Sequence, residues 1–268
     1  MNSWILSLGD RTVLGYYWDA KTLGVYGATY GLASLLIAIA APFWSSLYPN
    51  LARCHGGSGP ASPDRDAIDR VFRSFTGAFL IVGVPATVGL VFVSPQILVL
   101  LGHAEFVVSR WVFVLIAGGL FFDQAASCLH YLLYLHSDVN FIKNASLGAG
   151  ILNLGANILL VPSFGIPGAA FSTLVSYLAL SVAVVVRVRG HGYRLRALYD
   201  LGSIGRFVLA AVLMLAALVL VESAVRPIPA EGVVPLVRAV VIGVVAYLTA
   251  LCVLYRFDLR QLLAVVKL

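Results

Sequence analysis

Residues 152–180, LNLGANILLVPSFGIPGAAFSTLVSYLAL, contain two apolar runs joined by a short stretch of proline and glycine. The runs extend over about 141–162 and 166–186, and each meets the roughly 20 apolar residues that a helix needs to cross a bilayer. Because the link is short, the two helices should be antiparallel neighbours. Asn153 and Asn157 are four residues apart and therefore share one face of the first helix. The stretch predicts a transmembrane hairpin with one polar face.

The composition predicts that the rest of the chain is also embedded in a membrane. Of its 268 residues, 60% are hydrophobic and only 11% are charged, and the mean hydropathy is +0.95. A soluble domain carries about a quarter charged residues and could not bury so much apolar surface in one core. Further apolar runs lie at 23–48, 72–94, 108–135, 204–222 and 233–255, with a weaker one at 2–17. We predict an all-α, polytopic membrane protein with about eight transmembrane helices.

The basic residues predict the orientation of these helices. Thirteen of them flank one side of the predicted spans, mostly in segments 50–73 and 187–206, and four flank the other side. Because cytoplasmic loops carry the excess of lysine and arginine, both termini should be cytoplasmic. These loops account for the net charge of +6. No basic face with interleaved aromatic residues suggests a nucleic-acid partner.

A few ionisable residues fall inside the apolar runs. A carboxylate such as Asp123 near a helix centre costs on the order of 3 kcal/mol to insert, so it should face a wet cavity or a partner. Asp10 and Arg11 interrupt the first run, where they either neutralise each other or face a cavity. His130 follows Asp123 by two turns on the same face, and it either titrates near neutral pH or is held by a hydrogen bond. These four residues are candidates for function.

No motif of a catalytic or cofactor site is present. The sequence contains no G-x-S-x-G, HExxH, P-loop or Rossmann glycine pattern. Its three cysteines lie far apart, without the spacing of a metal site or a disulfide framework. We predict no enzymatic activity, no cofactor and no bound metal.

Three stretches resemble one family of transporters. They are LGDRTVLGYYWDAKTLGVYGATYGLASLL (8–36), PFWSSLYPNLAR (42–53) and LNLGANILLVPSFGIPGAAFSTLVSY (152–177). They look like the second half of a prokaryotic polysaccharide-biosynthesis flippase of the MOP exporter superfamily. That superfamily also contains O-antigen-type oligosaccharide flippases, lipid II flippases and MATE drug exporters.

The resemblance implies a domain organisation. Residues 1–188 would form the second six-helix bundle of such a transporter, with its first helix shortened. Residues 189–203 would be a cytoplasmic interfacial linker, 204–256 two additional transmembrane helices, and 257–268 a cytoplasmic amphipathic tail. The first bundle would be missing, so an N-terminal half or a second copy of the chain is an implied partner.

The resemblance also implies a function and its residues. The cargo would be a polyprenyl-linked oligosaccharide, moved across a prokaryotic inner membrane with H⁺ or Na⁺ as the coupling ion. Arg11 would bind the head group, while Asn153 and Asn157 would line the cavity or a helix contact. Asp10, Asp123 and His130 would be the candidate ion-coupling residues, and for Asp123 only the cost of membrane insertion supports this role.

The residues alone leave other functions open. A MATE-like exporter of cationic drugs would have acidic cavity residues without a compensating arginine, so Arg11 disfavours it. A membrane enzyme of polysaccharide assembly would carry a long external loop, whereas the longest outer loop here is about ESAVRPIPAEGVVP (222–235). A non-transporting scaffold of glycan assembly becomes more credible because the chain resembles only half of a transporter.

Overall fold

The protein is helical throughout the part described by the computed structural model, which covers residues 3–56, 65–102, 107–224 and 233–255. These residues form ten helices and no strand. The helices are α1 (Ser3–Tyr17), α2 (Ala20–Ala33), α3 (Leu35–Gly56), α4 (Arg65–Gly102), α5 (Arg110–Leu135), α6 (Val139–Phe164), α7 (Ile166–Gly190), α8 (Leu195–Leu198), α9 (Leu201–Ala224) and α10 (Val233–Leu254).

The surface of these helices is that of a membrane protein. Seven segments of the described residues are long and apolar enough to cross a bilayer, with α2 and α3 counted together, then α4, α5, α6, α7, α9 and α10. Large apolar side chains such as Leu159 (77% exposed) and Leu220 (66%) point outward, as is expected where lipid replaces water. The predicted all-α, polytopic class is confirmed. The weak run at 2–17 forms α1, whose 15 residues make it shorter than the other segments.

One predicted span contains a local change of helix geometry at Ser34, within a single apolar segment that runs from Ala20 to Cys54. The apolar run 23–48 forms two helices, because α2 ends at Ala33 and α3 begins at Leu35. Between them the Ser34 hydroxyl donates to the Gly31 carbonyl at 2.6 Å. Such a bond to the preceding turn competes with the regular helical ladder. A serine in an apolar run does not reveal this local change from sequence.

The described helices fall into two compact units. Of the described residues, the first unit contains those within Met1–Ala38 and Gly102–Gly192, and the second contains those within Ile39–Leu101 and Tyr193–Leu268. In the first unit, α7 packs against both α5 and α6, α6 packs against α1, and α2 packs against α1 and α5. The predicted division at residues 188, 203 and 256 stays a prediction, and the tail 257–268 lies outside the described residues.

The hairpin of α6 and α7 in the first unit has the tight turn that its sequence predicts. Gly165 has φ of 58°, a backbone conformation that suits glycine. At Gly168 the helices are so close that a Cβ would lie 2.8 Å from the Leu160 carbonyl carbon and oxygen. Trp18 covers the turn, since its indole Nε1 donates to the Val161 carbonyl at 2.9 Å. These contacts fix the part of α6 that carries the asparagine pair.

In the second unit, α10 compensates for a proline in α4. Pro85 has no N–H group and therefore cannot donate to the carbonyl four residues earlier, which belongs to Ile81. The Tyr247 hydroxyl of α10 donates to this carbonyl at 2.9 Å. A similar repair occurs within α4 itself, where the Ser94 hydroxyl donates to the Val91 carbonyl that Pro95 leaves free. The long helix α4 thus tolerates two prolines that lie ten residues, or about three turns, apart.

Candidate functional site

The Asp10 side chain is fully buried in the first unit. Its Oδ1 accepts the backbone N–H of Arg11 at 2.7 Å, and its Oδ2 accepts the hydroxyl of Tyr26 on α2. Carboxylates that are removed from water must be compensated by such donors. The bond from Tyr26 also ties α2 to α1 at the level of this charge.

Arg11 supplies a positive charge next to this carboxylate. Its guanidinium carbon lies 5.3 Å from the centre of the Tyr30 ring, within the distance of a cation–π contact. The Nε of Arg11 is buried and has no hydrogen-bond partner among the described residues. A buried donor without a partner is costly, so this group is suited to bind an acceptor from a ligand.

Two pairs of hydroxyl groups connect these residues to α7. The Tyr26 oxygen lies 3.4 Å from the Thr173 Oγ1, and the Tyr30 oxygen lies 3.2 Å from that of Tyr177. Tyr26 and Tyr30 are one turn apart on α2, as Thr173 and Tyr177 are on α7. We call the six residues the aspartate–tyrosine cluster: Asp10, Arg11, Tyr26, Tyr30, Thr173 and Tyr177.

Asp123 of α5 lies at the edge of this cluster. It acts electrostatically on both Tyr30 and Tyr177, as does Asp10. Its Oδ2 accepts a hydrogen bond of 2.9 Å from the neighbouring Gln124 amide, and the side chain is partly exposed. Two of the ion-coupling candidates, Asp10 and Asp123, thus act electrostatically on the same pair of phenols from different helices.

His130 does not join them. It lies seven residues after Asp123 on α5, about 10 Å further along the helix axis. Its Nε2 is buried without a hydrogen-bond partner among the described residues. Its proposed role in ion coupling stays a prediction.

Asn153 and Asn157 are both fully buried on α6. The Asn157 amide donates to the Asn153 carbonyl at 2.8 Å and to its Oδ1 at 3.1 Å. A Cβ on Gly9 of α1 would lie 3.8 Å from that same Oδ1, so the pair faces the packed interior where α1 meets α6. The Asn153 Nδ2 and the Asn157 Oδ1 have no partner in the described part of the chain. Whether they serve a cavity or only the helix contact stays a prediction.

The tyrosines of the cluster are the site residues that sequence reasoning missed. Buried tyrosine hydroxyls require hydrogen-bond partners, and Tyr26 and Tyr30 stand one turn apart in an otherwise apolar run. Tyr177 has the same relation to Thr173. The spacing could have drawn attention to two polar faces, but it could not reveal that they meet.

The cluster can hold a charge and can also pass a proton between its members. The negative charge of Asp10 and the positive charge of Arg11 offset each other locally. Each tyrosine and threonine hydroxyl both donates and accepts hydrogen bonds, so Asp10, Tyr26 and Thr173 form a short chain of exchangeable protons. Among the described residues, no three His, Cys, Asp or Glu side chains are grouped as a metal ion would require.

Comparisons with known proteins relate this fold to flippases. No family model matches the chain. It is 25% identical to "Probable flippase AglR" of Haloferax volcanii over 210 residues, which cover 76% of this chain and 40% of that protein. It is 22% identical to "Probable low-salt glycan biosynthesis flippase Agl15" of the same organism over 169 residues, 63% of this chain and 34% of that protein.

A solved structure shows the same fold. The chain matches "Lipid II flippase MurJ, inward closed conformation" with a TM-score of 0.71 and 15% identity, over 96% of this chain and 52% of that one. The matches therefore span about a third to a half of each of these proteins. The predicted resemblance is confirmed: the chain is similar in sequence to two proteins named as probable flippases, one of them for glycan biosynthesis, and similar in fold to a lipid II flippase.

Proposed function

We propose that the chain is part of a flippase that moves a lipid-linked oligosaccharide across a prokaryotic cell membrane. The observation that carries this proposal is the similarity to a probable flippase over 76% of the chain. The seven apolar segments supply the membrane domain, and the aspartate–tyrosine cluster supplies buried charge within it. Such transport breaks no covalent bond in the cargo, so no catalytic residue is assigned.

Arg11 is the residue we assign to the cargo. A polyprenyl carrier presents phosphate oxygens, which are acceptors for guanidinium N–H groups. The Nε of Arg11 is buried and unpartnered, while the face of its guanidinium rests on Tyr30. With the guanidinium held at this ring, its N–H groups would make a planar, two-pronged contact with a phosphate.

Asp10 is the residue we assign to the coupling ion, H⁺ or Na⁺, with Asp123 as a second site. Protonation of Asp10 would turn one of its acceptor oxygens into a donor. The Tyr26 hydroxyl would then turn towards its other neighbour, Thr173. A proton at Asp10 would thus change the hydrogen bonds that join α1 and α2 to α7, which is the kind of local event that a transport cycle can amplify.

The test is reconstitution of the complete reading frame that contains this chain in liposomes. Fluorescent polyprenyl-linked oligosaccharide is placed in the inner leaflet, and its arrival outside is followed with a membrane-impermeant quencher. Arg11→Gln should slow transport about tenfold or more, because it removes a charged hydrogen-bond donor. Arg189→Gln, a charge change at the exposed end of α7, is the matched control and should transport like the wild type.

The outcome also separates the competing functions. Transport no faster than in protein-free liposomes would refute the proposal and favour a scaffold. Efflux of a cationic dye by the same liposomes, without oligosaccharide transport, would assign the chain to a drug exporter instead.

A further inference from the structure

The second unit contains a cavity of about 410 Å³, a volume typical of small-molecule sites. It lies between the first turns of α4, the segment around α8 and the start of α9. Its rim carries Arg70, Arg73 and Asp200, and its floor is formed by apolar residues that include Leu80, Ile204 and Phe207. The aspartate–tyrosine cluster is in the first unit, so none of its residues lines this cavity.

The charges at the rim do not cancel. Arg73 is held in place, because its Nε and Nη2 donate to the Ala197 carbonyl at 3.0 and 2.6 Å. The Asp200 carboxylate accepts the Ser203 hydroxyl at 2.7 Å and the Gly202 N–H at 3.1 Å. These hydrogen bonds, led by that of Ser203, lower the pKa of Asp200, so the carboxylate is charged at neutral pH. Two guanidinium groups and one carboxylate give the lining itself one net positive charge, while Asp69, which also acts on Arg73, does not line the cavity.

Of the three charged side chains at the rim, Arg70 makes the fewest polar contacts with the described residues. The structure gives it no hydrogen bond or ion pair with any described residue, whereas Arg73 interacts with Ala197, with Asp200 and with Asp69. Arg73 retains N–H groups that its two hydrogen bonds do not use. The rim therefore offers a free guanidinium and part of a second one to an anion.

The cavity is polar at one end and apolar at the other. Arg70 and Arg73 lie in the early turns of α4, and Leu80 lies about 15 Å further along the helix axis than Arg70. On α9, Asp200 precedes the helix and Phe207 follows almost two turns into it. Both helices run from their charged ends into apolar spans. The cavity therefore becomes less polar in the same direction as a bilayer does, from its surface towards its centre.

We propose that this cavity binds the head group of a membrane phospholipid that carries one net negative charge, with its phosphodiester at Arg70 and Arg73. The phosphodiester matches guanidinium donors and compensates the single positive charge of the rim. The lipid glycerol and the first carbons of its chains would follow the apolar floor along Leu80 and Phe207. Basic pockets between transmembrane helices bind anionic head groups for the same reason.

A soluble phosphate ester presents the same kind of acceptor oxygens, with at least as much negative charge, but not the apolar part. The apolar floor therefore distinguishes the two sources: a lipid gains from burying hydrocarbon there, and free phosphate does not. The inference concerns a lipid held by the second unit, and it stands whether or not the first unit transports an oligosaccharide.

The test measures lipid retained by the purified chain in neutral detergent. Native mass spectrometry is recorded with dioleoylphosphatidylglycerol, with zwitterionic dioleoylphosphatidylcholine, and with glycerol 3-phosphate at the same concentration. The wild type should retain phosphatidylglycerol above the other two. Arg70→Gln should weaken that retention about tenfold or more, because a charge-assisted contact is lost.

Arg196→Gln is the matched control, since it removes the same charge from the same region without lining the cavity. Both arginines are exposed, so neither variant should impair folding, which circular dichroism checks. Equal loss in both variants would show a non-specific attraction between charges and would overturn the proposal. Retention of glycerol 3-phosphate equal to that of the lipid would assign the cavity to a soluble ester and would also overturn it.

Discussion

At the scale of single residues, the stability of the first unit depends on how Asp10 is compensated. Tyr26→Phe removes the hydroxyl that donates to this buried carboxylate. Leaving a buried charged acceptor short of a donor should lower the free energy of unfolding by about 1–3 kcal/mol. Tyr16→Phe, which removes the same atom from a ring that is 82% exposed, should change it by less than about 0.5 kcal/mol. Denaturation of both purified variants in detergent measures the difference.

Equal effects of the two substitutions would contradict the assigned bond. Asp10→Asn in the Tyr26→Phe background supplies a further check. With the charge gone, the loss of the Tyr26 hydroxyl should matter less, because a neutral amide needs less compensation than a carboxylate.

A second residue, Asp138, should make the stability of the protein depend on pH. Arg187 donates to it at 2.5 Å and His191 lies at 3.0 Å, and these bonds lower its pKa from 3.8 to about 2. A depressed pKa stabilises the fold above the ordinary value and loses this effect as the pH falls through the folded value. The difference in Tm between the parent and Asp138→Asn should thus be constant at neutral pH and shrink between pH 3.8 and about 2.

Both proteins in this comparison should carry His191→Gln, which removes the other titratable partner of Asp138. Because His191 also lowers the pKa of Asp138, the difference in Tm should then be lost over a narrower range below pH 3.8. Thermal unfolding in detergent across the acidic range gives the two Tm values. A difference that already disappears at mildly acidic pH would contradict the ion pair with Arg187.

For single residues, the sequence predicted candidates for function but not the partners that they contact. The cost of a membrane carboxylate singled out Asp10 and Asp123, and the helical repeat placed Asn153 and Asn157 on one face. The pairing of Asp10 with Tyr26 could not be predicted, because it depends on how α1 packs against α2. Helical spacing describes one helix at a time and carries no information about which faces of two helices meet.

At the scale of the elements, glycine substitutions in the α6–α7 hairpin can test how closely its two helices pack. A Cβ at Gly168 would meet the backbone of Leu160 at 2.8 Å, whereas one at Gly155 of α6 would meet nothing within 4 Å. Gly168→Ala should therefore destabilise the protein by about 1–3 kcal/mol through overpacking. Gly155→Ala should stabilise it by up to about 1 kcal/mol, because alanine is the better helix former.

Urea or thermal unfolding of the two alanine variants provides the measurement. Opposite signs are expected from the same chemical change. A neutral result at Gly168 would mean that α6 and α7 are further apart in the membrane than in the structure.

Elements were predictable where composition dominates and not where a local bond intervenes. Run lengths and the Pro-Gly link predicted α6 and α7 almost to their ends. The local change of geometry at Ser34, whose hydroxyl donates to the Gly31 carbonyl, was not predictable, because hydropathy registers one continuous span there.

At the scale of the whole molecule, the basic loops predict a topology that labelling can test. Cys54, Cys128 and Cys252 are first replaced, and single cysteines are introduced at Ser109 and Gly190, on opposite sides of the predicted spans. The positive-inside rule expects a membrane-impermeant maleimide to label Ser109→Cys in intact cells and Gly190→Cys only after lysis. The reverse pattern would invert the predicted orientation and place both termini outside.

Composition and motif resemblance predicted the class of the molecule, because membrane insertion constrains nearly every residue of a span. They could not predict that the described helices form two compact units, each made of two separate stretches of chain. That arrangement depends on contacts between distant segments, such as Trp18 with Val161 and Arg73 with Ala197.

Because Tyr247 of α10 donates a hydrogen bond to the Ile81 carbonyl of α4, the resistance of α4 to bending depends on both helices. Pro85 alone would leave a compliant point in a helix of 38 residues. The Tyr247 hydroxyl of α10 stabilises that point with a single hydrogen bond of about 1 kcal/mol. A hydrophobic mismatch of a few Å between a helix and its bilayer costs a comparable amount. The thickness of the surrounding membrane can therefore decide whether this hydrogen bond forms and how readily α4 bends.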